Sequence, residues 1–181
     1  MKSPENIQEL VQQLSDSSKT HYNSIMNGFD FNTIDFKPFE SWSSEKYTRN
    51  CMYRDAQFEL LLLCWEEGQE TSIHNHDGKD CWVYLLEGKM EEVFYTLDIN
   101  NTLKETHLQS MTPHQSSFMN DNIGFHKLRN VFKGKSISLH LYAKPIEQCQ
   151  FYCKNSNQFI ERKLKYDTFN EFVIETKPNA I

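Results

Sequence analysis

A chain of 181 residues, 38% hydrophobic and 13% aromatic, suits one domain with a sizeable core, which excludes a disordered chain and argues against two separate units. A net charge of -6, with no run of Lys and Arg that would form a basic stripe, makes nucleic acid and anionic membranes poor partners. No apolar stretch approaches the ~20 residues of a membrane span, and the N-terminus lacks the charged and apolar regions of a secretory signal.

Residues 4–14 read as a helix. Ser3 can cap it, Pro4 suits its first position, and Ile7, Leu10, Val11 and Leu14 share one face. A second short helical region is expected near 19–28, and the aromatic stretch 29–42, interrupted by Pro38, is expected to wrap against the core. From about residue 46 the period becomes that of strands: 58–65, 80–88, 90–97, 116–120, 126–132 and 136–143, then 148–155 and 161–169. Short strands without helices between them predict an antiparallel sandwich or barrel. The expected layout is mainly β: an N-terminal helical region (1–45) packed on a barrel (46–181). The five cysteines, Cys51, Cys64, Cys81, Cys149 and Cys153, are odd in number and include no CxxC pair. Reduced thiols in a cytoplasmic protein are expected.

His74 and His76 lie two apart in SIHNHDGKDC. On a strand they point to the same side, roughly 7 Å apart along the chain, so both imidazoles can converge on one metal. A bare HxH fits two solvent-facing histidines equally well. The surroundings decide between these readings. Five residues separate Gly68 from His74, four separate His76 from Cys81, and six separate Cys81 from Gly88. That spacing resembles the first cupin motif, with Cys81 where the motif usually carries a glutamate ligand. IGFHKLRN resembles the second, with His126 and Asn130. The implied ligand set is His74, His76 and His126. Imidazole suits iron, zinc, copper and nickel. Three neutral ligands leave the metal its full charge, which favours an anionic substrate such as a thiolate.

Two further stretches alternate. In SISLHLY, Ser138, His140 and Tyr142 share one strand face, and Ile137, Leu139 and Leu141 the other. The polar face is either solvated or turned into a barrel, where its groups need partners. In YTRN, Tyr47 and Arg49 share a face. An inward Arg needs a carboxylate, held bidentately. A surface ion pair is the ordinary alternative.

Taken in order, YTRN (47–50), CW (64–65), HNHDGKDC, LLEG, NIGFHKLRN and SLHLY are similar to the signature stretches of the cysteine dioxygenase family. The resemblance runs from about residue 46 to 165 and implies a single cupin-type barrel, a jelly-roll or double-stranded β-helix. It implies one Fe(II) per chain on His74, His76 and His126, and oxidation of L-cysteine by O2 to cysteine sulfinic acid, a step of cysteine catabolism. Arg49 would hold the substrate carboxylate with help from Tyr47, and Tyr142 would reach toward the substrate sulfur. His140 and Ser138 would orient Tyr142. Cys81 and Tyr142, on facing walls, would form a thioether crosslink. Trp65, Cys149 and Leu164 would wall the pocket. The chain departs from the family where Ala143, Lys144 and Pro145 stand for Ser-Pro-Pro, which puts the associated cis peptide in doubt. It also has Asp80 where relatives can carry histidine, and Leu164 where methionine is expected. Rival readings are a dioxygenase of 3-mercaptopropionate or cysteamine, a non-catalytic metal-binding cupin, and a metal-dependent isomerase. Arg49 argues against the mercaptopropionate type, which usually has glutamine there, and has no purpose with cysteamine. A monomer is expected.

Overall fold

The computed structural model describes residues 7–28 and 30–169. The expected helix start at Ser3 and Pro4 lies outside them. Helix α1 (Ile7–Ser15) buries Ile7, Leu10, Val11 and Leu14, the face that its 3.6-residue period predicts. A 3-10 turn at Lys19–His21 leads into α2 (Tyr22–Gly28), which buries Tyr22, Ile25 and Met26. Two more 3-10 turns, Phe31–Thr33 and Lys37–Phe39, carry the aromatic stretch along the core through Phe31 and Phe39.

The rest is strand: β1 (Thr48–Arg54), β2 (Phe58–Trp65), β3 (Asp80–Glu87), β4 (Met90–Leu97), β5 (Leu103–Met111), β6 (Ser116–Met119), β7 (Phe125–Asn130), β8 (Ser136–Ala143), β9 (Gln148–Cys153), β10 (Gln158–Lys163) and β11 (Thr168–Phe169). One six-stranded sheet has the order β11-β1-β2-β8-β3-β6. Opposite it lie the β5-β4-β7 sheet and the β10-β9 hairpin. These are joined through residues 70–74, where Glu70 bridges Arg129 and His74 bridges both His126 and Phe151.

The six-stranded sheet is buried on both faces. Leu60, Leu62, Trp82, Tyr84, Leu139 and Leu141 pack outward against α1, α2 and the aromatic stretch. Leu61, Leu63, Trp65, Cys81, Val83, Leu85 and Tyr142 point inward toward Met90, Met111 and Leu128. This is why β2 and β8 are buried along their whole length, and why β2 reads as an almost continuous apolar run. Tyr22 seals the outer layer with edge contacts to Phe58 at 5.9 Å and Trp82 at 5.8 Å. At the β3–β4 turn Gly88 has φ +87, and a Cβ there would meet the Ser136 hydroxyl at 1.9 Å, so the turn accepts only glycine.

The strand expectations need three corrections, the first being β1 (Thr48–Arg54), which lies ahead of the expected runs that began at residue 58. β5 went unread, because it is an edge strand with most residues exposed and no apolar alternation. The expected strand 161–169 is two pieces. The β9–β10 hairpin pairs Cys153 with Gln158, so β10 starts earlier and stops at Lys163, and only Thr168–Phe169 rejoin the large sheet, parallel to β1. Residues 164–167 instead cross the inner core, where Leu164 and Tyr166 pack. Among the described residues no peptide bond is cis, and Lys144 takes φ +70.

Candidate active site

Three imidazoles meet inside the barrel. His74 and His76 come from the segment before β3, and His126 from β7, and their ligand atoms all lie within 4.8 Å of one another. All three residues are buried. His126 Nε2 sits 2.9 Å from His76 Nε2 and 3.2 Å from His74 Nε2. Two rings have their tautomer set from outside. His74 Nδ1 donates to the Ser72 carbonyl at 2.8 Å, and His126 Nδ1 donates to the Glu92 carboxylate at 2.6 Å. In their neutral forms both rings then turn an Nε2 lone pair inward. Facing lone pairs at 3.2 Å repel unless a cation lies among them, so the donor set fits a metal ion. Burial, then repulsion by His126, holds His74 down at about 3. His76 is also held well below the usual imidazole range, first by burial. Both are ready as neutral ligands at neutral pH.

Asp121 positions this segment. Its two carboxylate oxygens accept the backbone N–H groups of His76 and Gly78, each at 2.7 Å. The His74 and His126 backbones exchange two hydrogen bonds at 3.0 Å, which fixes the spacing of the rings.

A cavity opens beside the imidazoles, lined by Tyr47, Arg49, His74, His126, His140, Tyr142, Cys149 and Leu164, with Leu63, Thr71, Leu128, Ile146 and Phe151. Arg49 is 8% exposed, and its Nε and Nη2 are buried without hydrogen-bond partners. Its nearest carboxylate is Glu59, 3.8 Å from Nη2, close enough to balance charge and too far to occupy the donor. Glu59 is itself fully buried and accepts the Tyr166 hydroxyl and the Ile146 N–H. Burial raises the Glu59 pKa against the pull of Tyr166 and Arg49. Burial also opposes the Arg49 charge, but Tyr142, Glu59, Tyr47 and Tyr166 outweigh it and leave its pKa raised. Tyr47 stacks on Trp65 at 4.5 Å.

The polar face of β8 turns inward. Trp65 Nε1 donates to the Ser138 hydroxyl at 2.9 Å, and that hydroxyl lies 2.9 Å from His140 Nε2. The Ser138 hydroxyl links Trp65 to His140, whose Nδ1 has no partner. Burial holds His140 well below the imidazole range and pushes Tyr142 well above the phenol range. Trp65 and Ser138 thus sit behind the cavity wall, while Cys149 and Leu164 form part of it. Cys81 is directly opposite Tyr142 in the β3–β8 register, and the two side chains are within hydrogen-bonding reach. They are neighbours on adjacent strands of one sheet, not on facing walls as expected. Burial drives the Cys81 thiol well above its ordinary pKa, and Cys149 up to about 12. Asn130 is a scaffold residue. Its amide donates to the Glu66 and Gly134 carbonyls at 3.0 and 2.8 Å and accepts from Ser136 at 2.7 Å. Asp80 pairs with Lys19 and Asn120, outside the cavity lining.

Sequence reasoning missed Glu59, Glu92, Asp121 and Tyr166. The signal for Glu59 was a lone acid inside FELLLLCW, on the same side as Leu61 and Leu63. For Glu92 it was alternation with Met90 and Phe94, both buried.

The family model for cysteine dioxygenase type I matches residues 2–155 of the chain. Cysteine dioxygenase type 1 of Danio rerio is 29% identical over 158 residues, covering 81% of this chain and 79% of that protein. The Homo sapiens protein of the same name is 27% identical over 161 residues, covering 87% and 79%. Among solved structures, a Klebsiella pneumoniae protein with a double-stranded β-helix domain superposes with a TM-score of 0.50 at 14% identity, covering 61% of this chain and 82% of that one. That likeness speaks to the fold alone.

Proposed function

The chain belongs to the cysteine dioxygenase type I family and is a dioxygenase-class oxidoreductase, and we propose that it oxidises L-cysteine with O2 to cysteine sulfinic acid at one Fe(II) held by His74, His76 and His126. Arg49 carries this reading: a buried guanidinium with two unused donors, facing the cavity next to three convergent imidazoles. A small thiol that also bears a carboxylate satisfies both halves of such a site. Iron held by His74, His76 and His126 would supply the dioxygen chemistry at the substrate sulfur, for which RSH and O2 give RSO2H with no external reductant.

The protein contributes position and charge. Arg49 takes the carboxylate through Nε and Nη2, with Tyr47 beside it, while Glu59 balances the guanidinium without filling those donors. Tyr142 stays a neutral phenol at neutral pH, because burial raises its pKa, so it can donate a hydrogen bond to the substrate. The chain from Trp65 through Ser138 to His140 fixes the ring beside it and leaves Nδ1 unpartnered. Leu63, Leu128, Ile146 and Leu164 keep water from the reacting atoms. Cys81 would be joined to the Tyr142 ring.

Product analysis under 18O2 tests this. Iron-loaded protein with L-cysteine should give the sulfinate with both labelled oxygens on sulfur. Sulfinate formed faster from 3-mercaptopropionate or cysteamine would overturn the substrate, and no thiol-dependent O2 uptake would leave only a metal-binding barrel.

A further inference from the structure

The ligand set is all imidazole, yet a carboxylate stands directly behind one of its members. Glu92 on β4 is fully buried, between the buried Met90 and Phe94 in the inward register. Its Oε1 lies 2.6 Å from His126 Nδ1, and its Oε2 accepts Gln109 Nε2 of β5 at 2.9 Å. Among the described residues its ion-pair partner is His126. A carboxylate so enclosed is costly unless something nearby needs its charge. Glu59, the other fully buried acid, is engaged by Arg49, Tyr166 and Ile146. The imidazoles themselves are backed unequally. His74 leans on a neutral carbonyl, whereas His126 leans on an anion.

We propose that Glu92, steadied by Gln109, is a positioning residue for the metal site. It locks the His126 tautomer and returns one negative charge to a site whose ligands are all neutral. This rests on the reading of His74, His76 and His126 as the metal ligands. β4 is hydrogen-bonded to β7 with Phe94 opposite His126, and Glu92 is two residues along on the same face, so the contact belongs to the sheet and does not depend on a loop. Gln109 stands opposite Glu92 in the β4–β5 register and holds the second oxygen from the other side.

The test is anaerobic titration of metal-free protein with Fe(II) against a competing chelator, together with the midpoint potential of the bound iron. Glu92→Gln keeps the shape and removes the charge. Its affinity should fall roughly 10–100-fold, and the potential should rise because the ferric state loses a stabilising anion. Gln109→Leu alters a half-buried residue outside the site and should weaken binding by less, in the same direction, with the melting temperature of the metal-free protein unchanged. Wild-type affinity and potential in both variants would overturn the proposal. Should Glu92→Gln fail to fold, wild-type affinity in Gln109→Leu alone would do so. Wild-type protein that takes up no metal would instead overturn the metal site itself, a separate result.

Discussion

An arginine inside a β-barrel needs a reason. Arg49 is buried with two donors unpaired, in a protein where buried donors normally find partners. Evolution would have cheaper ways to fill that space. Arg49→Gln removes a charge-assisted pair with a substrate carboxylate, worth about 1.5–3 kcal/mol. The efficiency with L-cysteine should therefore fall roughly 10- to 150-fold, since 1.36 kcal/mol is one decade. The loss with cysteamine, which has no carboxylate, should be much smaller. Steady-state kcat/KM on both thiols checks this, and equal losses would mean that Arg49 supports the barrel or the metal site. Arg49 was legible because strand geometry turns its spacing of two from Tyr47 into a shared face. The three histidines were legible because their spacing to Gly68, Cys81, Gly88 and Asn130 resembles the cupin motifs, although His74 and His76 lie on an irregular segment before β3 and not on a strand. Glu59 and Glu92 were not. An acid pointing inward is the same letter as one pointing outward, and only its neighbours, Leu61 and Leu63 or Met90 and Phe94, reveal the side it takes.

At the level of elements, the β3–β8 pairing sets Cys81 against Tyr142. A slip of β8 by one residue would turn Tyr142 to the helical layer and away from Cys81, so the register is as much a part of this site as the residues. The two lie within reach of each other beside the proposed iron site, where a thiol and a phenol can be oxidatively joined with loss of two hydrogens. Protein turned over with cysteine and O2 should become about 2 Da lighter, with a Cys81–Tyr142 peptide after digestion. Cys81→Ser should lack that species and keep its iron and some activity. Intact mass and peptide mapping decide it, and turned-over wild-type protein without the joined peptide would sink the crosslink. Elements differed in how readable they were. β2, β4 and β8 matched their expected limits of 58–65, 90–97 and 136–143, because each is a dense run of apolar and aromatic residues ended by turn residues. β5 gave no pattern, since one edge strand with an exposed face buries too little to leave a period. The segment 164–167 looked like strand because its spacing is right, yet Asp167 leaves the hairpin to accept the Arg49 N–H at 2.9 Å and to donate to the Arg49 carbonyl at 2.8 Å.

The whole molecule acts as a dry box around titratable groups. Helices cover one face of the large sheet and the second sheet covers the other, so the imidazoles within are taken from water. His140 shows what this does to stability. It is 2% exposed, hydrogen-bonded to Ser138, next to the Tyr142 ring, and close to Arg49 and to the rings of His126 and His74. Burial first, and after it the fields of those neighbours where they are charged, as Arg49 is, keep it well below the imidazole range. The unfolded chain has an ordinary imidazole of about 6.5 at that position. Below that value the unfolded state binds a proton that the folded state refuses, so stability is full above about pH 6.5 and falls as pH drops beneath it. One such group costs about 1.4 kcal/mol at pH 5.5 relative to pH 7.5. Glu59, whose folded pKa is raised, works in the opposite sense, losing its contribution as pH rises through that pKa, so the total slope mixes both signs. A difference measurement isolates His140. Urea melts of metal-free wild type and of His140→Gln at pH 7.5 and 5.5 should show the wild type losing about 1.4 kcal/mol more than the variant over that interval. Equal losses would mean that His140 takes up a proton in the folded barrel as readily as in the unfolded chain, and that the box admits water where the structure closes it.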